Sequence, residues 1–218
     1  MENSERKDLN QIIIQGPIVR KFSNHIATNL VVKTPKLNLP GFVKEGETCY
    51  NYPNIAFYGP EKGSVDETYQ EGDVVKIVGT IQTQKKISKD TGRPYYEQRL
   101  IGMSIEEAEK ELAEFGLDAG VYTASENKVK LIGSISKLNL ASKNILNINI
   151  RTFYNGKVNN IQTFIYGKQA NTLFEEFTVG DKVCAIGSIQ TPKKIVGTGE
   201  EKEERHFRNA VLSSISKI

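Results

Sequence analysis

The segment GDVVKIVGTIQTQKKI at residues 72–87 returns as GDKVCAIGSIQTPKKI at residues 180–195, with ten of sixteen positions identical. The same offset of 108 residues places Tyr58 and Gly59 on Tyr166 and Gly167. A constant offset over separated matches indicates one structural unit that occurs twice. The 218 residues therefore divide into two units of about 100 residues, each large enough to bury a core.

Apolar and polar residues alternate with a period of two inside each unit. Short runs rich in Val, Ile, Thr, Tyr and Phe are separated by Gly, Asn, Pro and Lys, which is typical of strands joined by turns. Five such strands are predicted in each unit. They span residues 11–19, 26–32, 54–58, 74–84 and 95–101 in the first unit, and residues 129–135, 145–152, 161–166, 182–190 and 206–212 in the second.

A short helix is predicted between the third and fourth strands. In the second unit Ala170, Leu173, Phe174 and Phe177 recur at helical spacing, so this helix would close one end of a barrel. Five strands with a helix between the third and the fourth is the order of the OB-fold, a small Greek-key barrel. The predicted fold class is therefore all-β, with two tandem OB-folds.

An acidic segment separates the two units. Residues 106–126 carry seven acids and one lysine, and residues 105–116 are dense in helix formers. We predict an OB-fold over residues 1–105, an acidic helical linker over 106–126 and a second OB-fold over 127–218. The second unit carries 14 lysines and arginines against seven acids, which favours a polyanionic partner, although a lysine-rich solubilising surface gives the same count.

Composition disfavours several functional classes. His25 and His206 lack a recurring Ser, Cys or carboxylate partner and no phosphate loop occurs, so we expect no enzyme and no cofactor. Two histidines and two cysteines, Cys49 and Cys184, are too few for a metal site, and both thiols are expected to be reduced. Without a signal-peptide pattern or an apolar run of about 18 residues, the chain is expected to be cytoplasmic and not membrane-bound.

Three motifs occur in the same order in both units: a strand that ends in Tyr-Gly, a Gly-Asp turn before an alternating strand, and a segment around a basic hairpin. They read IAFYGPEK, YQEGDVVKIVGTIQTQKK and TGRPYYEQRL in the first unit, and TFIYGKQA, FTVGDKVCAIGSIQTPKK and ERHFRNAVL in the second. In this order and spacing they resemble bacterial and phage-type single-stranded DNA-binding proteins, the SSB family. The segment NKVKLIGSI at residues 127–135 is also similar to the first strand of that family.

The resemblance implies a function and a setting. The chain would be a non-enzymatic protein that coats single-stranded DNA with little sequence preference during replication, recombination or repair, in a bacterial or phage-infected cell. Two other classes remain open from the residues themselves. They are an RNA-binding tandem OB protein, because stacking and phosphate contacts do not exclude a 2′-hydroxyl, and an OB-based accessory subunit for protein interaction.

Aromatic residues on the third strand of the first unit are candidate binding residues. A sequence-tolerant binder of unpaired bases needs flat rings for stacking and cations for phosphates. Tyr52 and Tyr58 are predicted to share one strand face with Asn54 and Ala56, and the resemblance implies that the stacking positions of the family fall on these two tyrosines. A half-buried aromatic on a strand is also common in a core, which is the other interpretation of each ring.

The matching face of the second unit carries Phe164 and Tyr166. In both units the alternate residues, among them Phe57 and Ile165, already supply an inward face. We therefore favour a stacking role for Tyr58 and Tyr166.

Basic residues cluster in the hairpins that follow the fourth strands, where cations can follow a phosphate backbone without reading bases. The family often has tryptophan at the positions of Lys86 and Lys194. This chain contains no tryptophan, so its binding would depend more on charge. The candidate hairpin cations are Lys85, Lys86, Lys89, Arg93, Lys193 and Lys194.

Arg151, Phe153 and Tyr154 precede an Asn155-Gly156 pair, which is a hairpin signal. An aromatic ring beside an arginine at this turn fits base stacking and a structural cross-strand pair equally well. The hairpin at residues 197–208 instead contains four glutamates, so we expect its tip to face away from nucleic acid or to contact a basic partner.

The sequence ends in SSISKI, without the acidic tip through which the family recruits repair enzymes, so we expect no such recruitment and favour a phage or plasmid version.

Family members assemble four OB barrels as homotetramers. A chain with two barrels is therefore expected to form a homo-oligomer, namely a dimer with four OB-folds, with a monomer as the alternative.

Overall fold

The computed structural model describes residues 7–36, 50–87, 92, 94–109, 125–196, 203–206 and 208–218. At residues 94, 95, 193–196 and 203–206 it describes the backbone alone. Within these ranges the chain forms fourteen strands and two short helices, and ten of the strands join one continuous sheet.

The first unit forms a closed barrel. Its strands are β1 (Leu9–Ser23), β2 (Ala27–Val32), β3 (Thr34–Pro35), β4 (Tyr50–Asn51), β5 (Asn54–Tyr58), β6 (Val74–Ile87) and β7 (Pro94–Glu107). β1 pairs with β2, β2 with β5, β5 with β7, β7 with β6, and β6 returns to β1. The β5–β7 pair is parallel and the other four are antiparallel, while β3 and β4 form a separate short pair.

The second unit repeats this closure. Its strands are β8 (Glu126–Ser142), β9 (Ile145–Tyr154), β10 (Lys157–Tyr166), β11 (Lys182–Gln190), β12 (Lys193–Val196), β13 (Glu203–His206) and β14 (Asn209–Lys217). The ring runs β8–β9–β10–β14–β11 and back to β8, again with one parallel pair, β10–β14. The predicted all-β class with two OB-folds is confirmed, and all ten predicted strands are present.

A helix follows the third barrel strand in each unit: α1 (Pro60–Thr68) and α2 (Gln169–Glu176). In the second unit Ala170 and Phe177 are buried and Leu173 packs against the core, as the helical spacing predicted. Phe174 is 39% exposed, because the three other residues already fill the side of this two-turn helix that faces the barrel. No helix in the described ranges is long and apolar enough to cross a membrane.

The predicted linker helix begins too early. Ile105, Glu106 and Glu107 continue β7 and pair with Ile77, Lys76 and Val75 of β6, so this backbone is extended. Glu126 in turn already belongs to β8. The segment of the predicted helix at residues 110–124 lies outside the described residues.

Glycines make the tight closure of both barrels possible. A Cβ at Gly79 would lie 2.2 Å from the carbonyl oxygen of Ile101, and one at Gly187 would lie 2.1 Å from that of Val211. Both glycines sit where the strand register shifts, which marks a β-bulge. The repeated Gly79 and Gly187 of the sequence are thus needed because backbone approaches backbone at these two points.

The two barrels are joined through their first strands. β1 pairs antiparallel with β8, and Ile12 lies opposite Val129. Ile12 also pairs with Gly79 in its own barrel, and Val129 pairs with Gly187, so Ile12 and Val129 are equivalent residues. The joint therefore has a pseudo-two-fold axis between them, as in a dimer of identical units.

Equivalent buried asparagines flank this joint. The Asn10 amide donates to the Ile81 carbonyl oxygen (2.7 Å) and accepts from the Ile81 N–H (3.0 Å), while Asn127 makes the same two bonds with Ile189 (2.8 Å each). Each amide thereby satisfies backbone groups inside the barrel wall.

Reciprocal hydrogen bonds between Thr and Asn hold the barrels together away from the joint. The Thr83 N–H donates to Asn159 Oδ1 (2.9 Å), and the Thr191 N–H donates to Asn51 Oδ1 (3.0 Å). The Thr83 hydroxyl then accepts from the Asn160 N–H (3.1 Å), and that of Thr191 accepts from the Tyr52 N–H (2.8 Å). These two sets of bonds, here called the clasps, tie the fourth strand of each barrel to the third-strand region of the other.

We predict that Gly187→Ala lowers the free energy of unfolding by about 3 kcal/mol, because its methyl group forces backbone rather than a flexible side chain to move. The control is Gly63→Ala in α1, where nothing lies within 4 Å of the added carbon. Alanine there should raise the free energy of unfolding by about 0.5–1 kcal/mol. Denaturant melts of both variants measure the difference, and a neutral Gly187→Ala would contradict the close approach.

Candidate nucleic-acid interface

The third strand of each barrel presents alternate side chains to the outside. On β5, Ile55 and Phe57 are fully buried, whereas Tyr58 is half-buried. On β10, Thr163 and Ile165 are buried, whereas Phe164 and Tyr166 are half-buried. The predicted outward position of Tyr58, Phe164 and Tyr166 is therefore confirmed, whereas Ala56, which was predicted to share the outward face, is only 8% exposed.

The outward face of the first barrel forms an open pocket of about 200 Å³. Tyr58 lies at one end of β5, and Arg99 on the neighbouring β7 lines the same pocket close enough to be influenced by the Tyr58 hydroxyl. The pocket combines a ring, amide groups and charged groups from three strands, β2, β5 and β7, and from the segment before β14. It is lined by Asn29, Asn54, Ala56, Tyr58, Glu97, Arg99, Leu100 and Arg208.

Glu97 is the anion of this pocket. Its carboxylate accepts from Arg99 Nε (2.7 Å) and from Lys86 Nζ (2.8 Å). Burial raises the pKa of the Glu97 carboxyl, but the two hydrogen bonds and the charges of Lys86 and Arg99 outweigh it, so the net effect is a lowered pKa. Glu97 is therefore ionised at neutral pH and forms ion pairs with Arg99, which lines the pocket with Tyr58, and with Lys86.

The second barrel presents an aromatic face. The rings of Phe164 and Tyr166 lie 6.2 Å apart between centroids at an angle of 17°, which is a stacked arrangement. Burial raises the pKa of the Tyr166 phenol, so this hydroxyl stays neutral well above physiological pH. Phe164 and Tyr166 lie beside Asn147 and Ile145 of β9. Such a surface offers ring area rather than charge.

The basic hairpin of the first barrel is only partly described. Lys85 is exposed and lies opposite Tyr96, whose side chain is 48% exposed. Lys86 is half-buried and bound to Glu97, so it is not a free cation as the sequence suggested. Lys89 and Arg93 lie outside the described residues.

The second hairpin begins with Lys193 and Lys194 in β12, and the side chains of these two residues also lie outside the described part of the chain.

Tyr52 keeps the outward parity of Tyr58, because Asn51 and Pro53 on either side of it are buried whereas Tyr52 and Asn54 are not. A stacking role for Tyr52 stays a prediction. The strand is interrupted at Tyr52 and Pro53, since proline lacks an N–H for the ladder and its carbonyl oxygen accepts from Val32 (3.0 Å). Tyr52 lies between β4 and β5 and is 39% exposed, and its N–H belongs to a clasp with Thr191.

The predicted hairpin at Asn155 and Gly156 is confirmed, with both residues at positive φ (50° and 71°) and Lys157 opposite Tyr154. Phe153 is 61% exposed, and its N–H donates to Asp8 Oδ2 (2.8 Å). Arg151 is also exposed and pairs with Asn160, whereas Tyr154 is half-buried. These three residues lie at the far end of β9 and β10 from Tyr166.

Four candidate residues escaped the sequence reasoning: Tyr96, Glu97, Arg99 and Arg208. The first three lie in the quoted run YYEQRL, and their period-two spacing assigns Glu97 and Arg99 to one face. Which neighbour that face meets follows only from the parallel pairing of β7 with β5. Arg208 had no such signal, because its position depends on the contact between barrels.

Solved structures of single-stranded DNA binding proteins share this fold. The wild-type protein from Thermus aquaticus matches with a TM-score of 0.67 and 12% identity, over 97% of this chain and 94% of that chain. A deletion mutant of the Thermus aquaticus protein gives 0.69 and 13%, over 97% and 95%. No protein-family model and no curated protein matches the sequence. The resemblance inferred from the repeated motifs is thus confirmed at the level of the fold, over nearly the whole chain.

We predict losses of stability of very different size for two adjacent rings of β5. Phe57→Ala should lower the free energy of unfolding by about 3–5 kcal/mol, because it empties a fully buried site. Tyr58→Ala should lower it by about 1 kcal/mol or less, because the ring lies on the outer face. Denaturant unfolding of both variants measures this. Equal losses would place Tyr58 in the core and remove it from the interface.

Proposed function

We propose that this chain is a non-enzymatic protein that binds single-stranded DNA with little sequence preference. The observation that carries the proposal is the pair of third-strand faces, with Tyr58 beside Arg99 on one barrel and the stacked Phe164 and Tyr166 on the other. Exposed rings beside cations are what a binder of unpaired bases requires. The fold shared with single-stranded DNA binding proteins supports the same function.

The two faces contribute different parts of the binding free energy. Rings accept the faces of unpaired bases, and each stacked base contributes roughly 1–3 kcal/mol. Arginine and lysine neutralise phosphates and release counterions, so affinity falls as salt rises. The second barrel mainly supplies stacking and the first adds charge, and one strand runs over both.

The biological role follows from this binding mode. A protein that holds exposed bases protects single strands during replication, recombination or repair, in the cytoplasm of a bacterial or phage-infected cell. Because the chain is already a covalent pair of barrels, we propose that two chains associate to give four OB-folds, and sedimentation of the full chain decides between this dimer and a monomer.

Tyrosine fluorescence tests the proposed function directly, since the chain has nine tyrosines and no tryptophan. Oligo-dT should quench the emission tightly, with weaker binding at higher salt. Each ligand is titrated at one low and one high salt concentration. At both concentrations oligo-U and duplex DNA should bind much more weakly than oligo-dT. Equal or tighter binding of oligo-U would favour RNA as the ligand, and no quenching by any strand would leave only a protein-interaction role.

Ring variants locate the binding surface within the same assay. Tyr58→Ala and Tyr166→Ala should each weaken oligo-dT binding by roughly 1–3 kcal/mol, the contribution of one stacked base. The matched control is Phe174→Ala, which removes a ring exposed to 39% that belongs to α2 and not to the third strand. Equal affinities for all three variants would show that the strand follows another surface.

A further inference from the structure

Arg208 brings the second barrel into the pocket of the first. It directly precedes β14, and it lines the pocket together with Tyr58, Glu97 and Arg99. Its carbonyl oxygen accepts from Gln98 Nε2 (3.4 Å), and the Gln98 side chain also accepts from the Gln162 N–H (2.8 Å). Gln98 of β7 thus ties the backbone of Arg208 and of β10 to the first barrel.

The pocket holds more positive than negative charge. Arg99 and Arg208 line it with a single carboxylate, Glu97, and Glu97 already binds Arg99 and, outside the lining, Lys86. The Arg208 guanidinium is partly withdrawn from water, and burial lowers its pKa, opposed by the charge of Glu97 and reinforced by that of Arg99. The described residues show no hydrogen bond or ion pair from this guanidinium.

A desolvated guanidinium beside a second one favours an anion between them. Arginine presents a planar set of donors that matches the oxygens of a phosphate. The amide oxygen of Asn54, in the same pocket, has no hydrogen-bond partner within the described residues. The pocket therefore offers donors for a phosphate next to a free acceptor and a ring.

We infer that Arg208 and Arg99 form a phosphate subsite at the boundary of the two barrels, and that Glu97 is its internal competitor. The inference rests on the proposed function and specifies how the first barrel contributes. A phosphodiester of the bound strand binds Arg208 and displaces the Glu97 carboxylate from Arg99. The Tyr58 ring then lies beside the nucleotide that this phosphate carries.

The subsite occurs once per chain, although the fold is duplicated. The pairings of Ala56 with Ile101 and of Phe164 with Val211 make Arg99 equivalent to Asn209. The second barrel thus has an amide where the first has a guanidinium, and it has a phenylalanine where the first has Ala56. One strand crossing both barrels therefore meets a phosphate site on one and a stacking surface on the other.

Four variants test the subsite by oligo-dT titration over a range of salt. Arg208→Gln should weaken binding about tenfold and reduce the slope of log K against log salt by about 0.7, the value for one phosphate contact on a single strand. Glu97→Gln should strengthen binding three- to tenfold at about 50 mM salt, because Arg99 and Lys86 lose their internal partner. The controls are Lys76→Gln and Glu106→Gln, which change the net charge equally at an ion pair elsewhere on β6 and β7.

Effects of Arg208→Gln and Glu97→Gln no larger than those of the controls would overturn the inference. So would a Glu97→Gln variant that melts normally and binds more weakly, since Glu97 would then support binding rather than compete with it.

A second probe separates failure of the subsite from failure of the proposed function. Inorganic phosphate, compared with chloride at equal ionic strength, should raise the melting temperature of the wild type more than that of Arg208→Gln. If the wild type binds no oligo-dT but this difference remains, the subsite stands and the proposed function fails. If the wild type binds oligo-dT, while phosphate stabilises both proteins equally and the salt slope is unchanged, the subsite fails and the function stands.

Discussion

The antiparallel pairing of β1 with β8 is the contact on which the rest of the molecule depends. Ile12 lies opposite its own equivalent, Val129, so one backbone ladder places two barrels around a pseudo-two-fold axis. Because strand pairing fixes register in steps of one residue, that ladder also sets where the hairpin of each barrel meets the other. The clasps at Thr83 and Thr191 form at equivalent places for this reason.

The clasps connect the symmetric scaffold to an asymmetric surface. Thr83 is hydrogen-bonded to Asn159 and Asn160, so the β6–β7 hairpin of the first barrel lies against β10 at these two residues. The same approach places Gln98 against Arg208 and so brings a cation of the second barrel to the face of the first. Two copies of one backbone therefore carry a charged pocket on one barrel and a stacked aromatic pair on the other.

Sequence predicts those features that depend on local periodicity and fails where distant contacts decide. Phe57 inward and Tyr58 outward follow from the period of two, and the hairpin at Asn155 and Gly156 follows from turn chemistry. Tyr52 keeps this period, but the contact that holds its N–H comes from Thr191 in the other barrel, which the sequence alone does not show. Arg208 escaped because its position depends on Gln98, 110 residues away along the chain. The segment Ile-Gln-Thr is identical in the two units, but only the structure shows that its threonines, Thr83 and Thr191, form the clasps between the barrels.

The central claim is that one single strand lies across both third-strand faces of one chain. Photo-cross-linking tests it most directly, with a short oligo-dT in which 5-iodouracil replaces thymine at single positions and the attached residues are identified by mass spectrometry. The account predicts cross-links to Tyr58 from one position and to Phe164 or Tyr166 from another position of the same oligomer. Cross-links confined to one barrel, or to a ring such as Phe174 on α2, would contradict it.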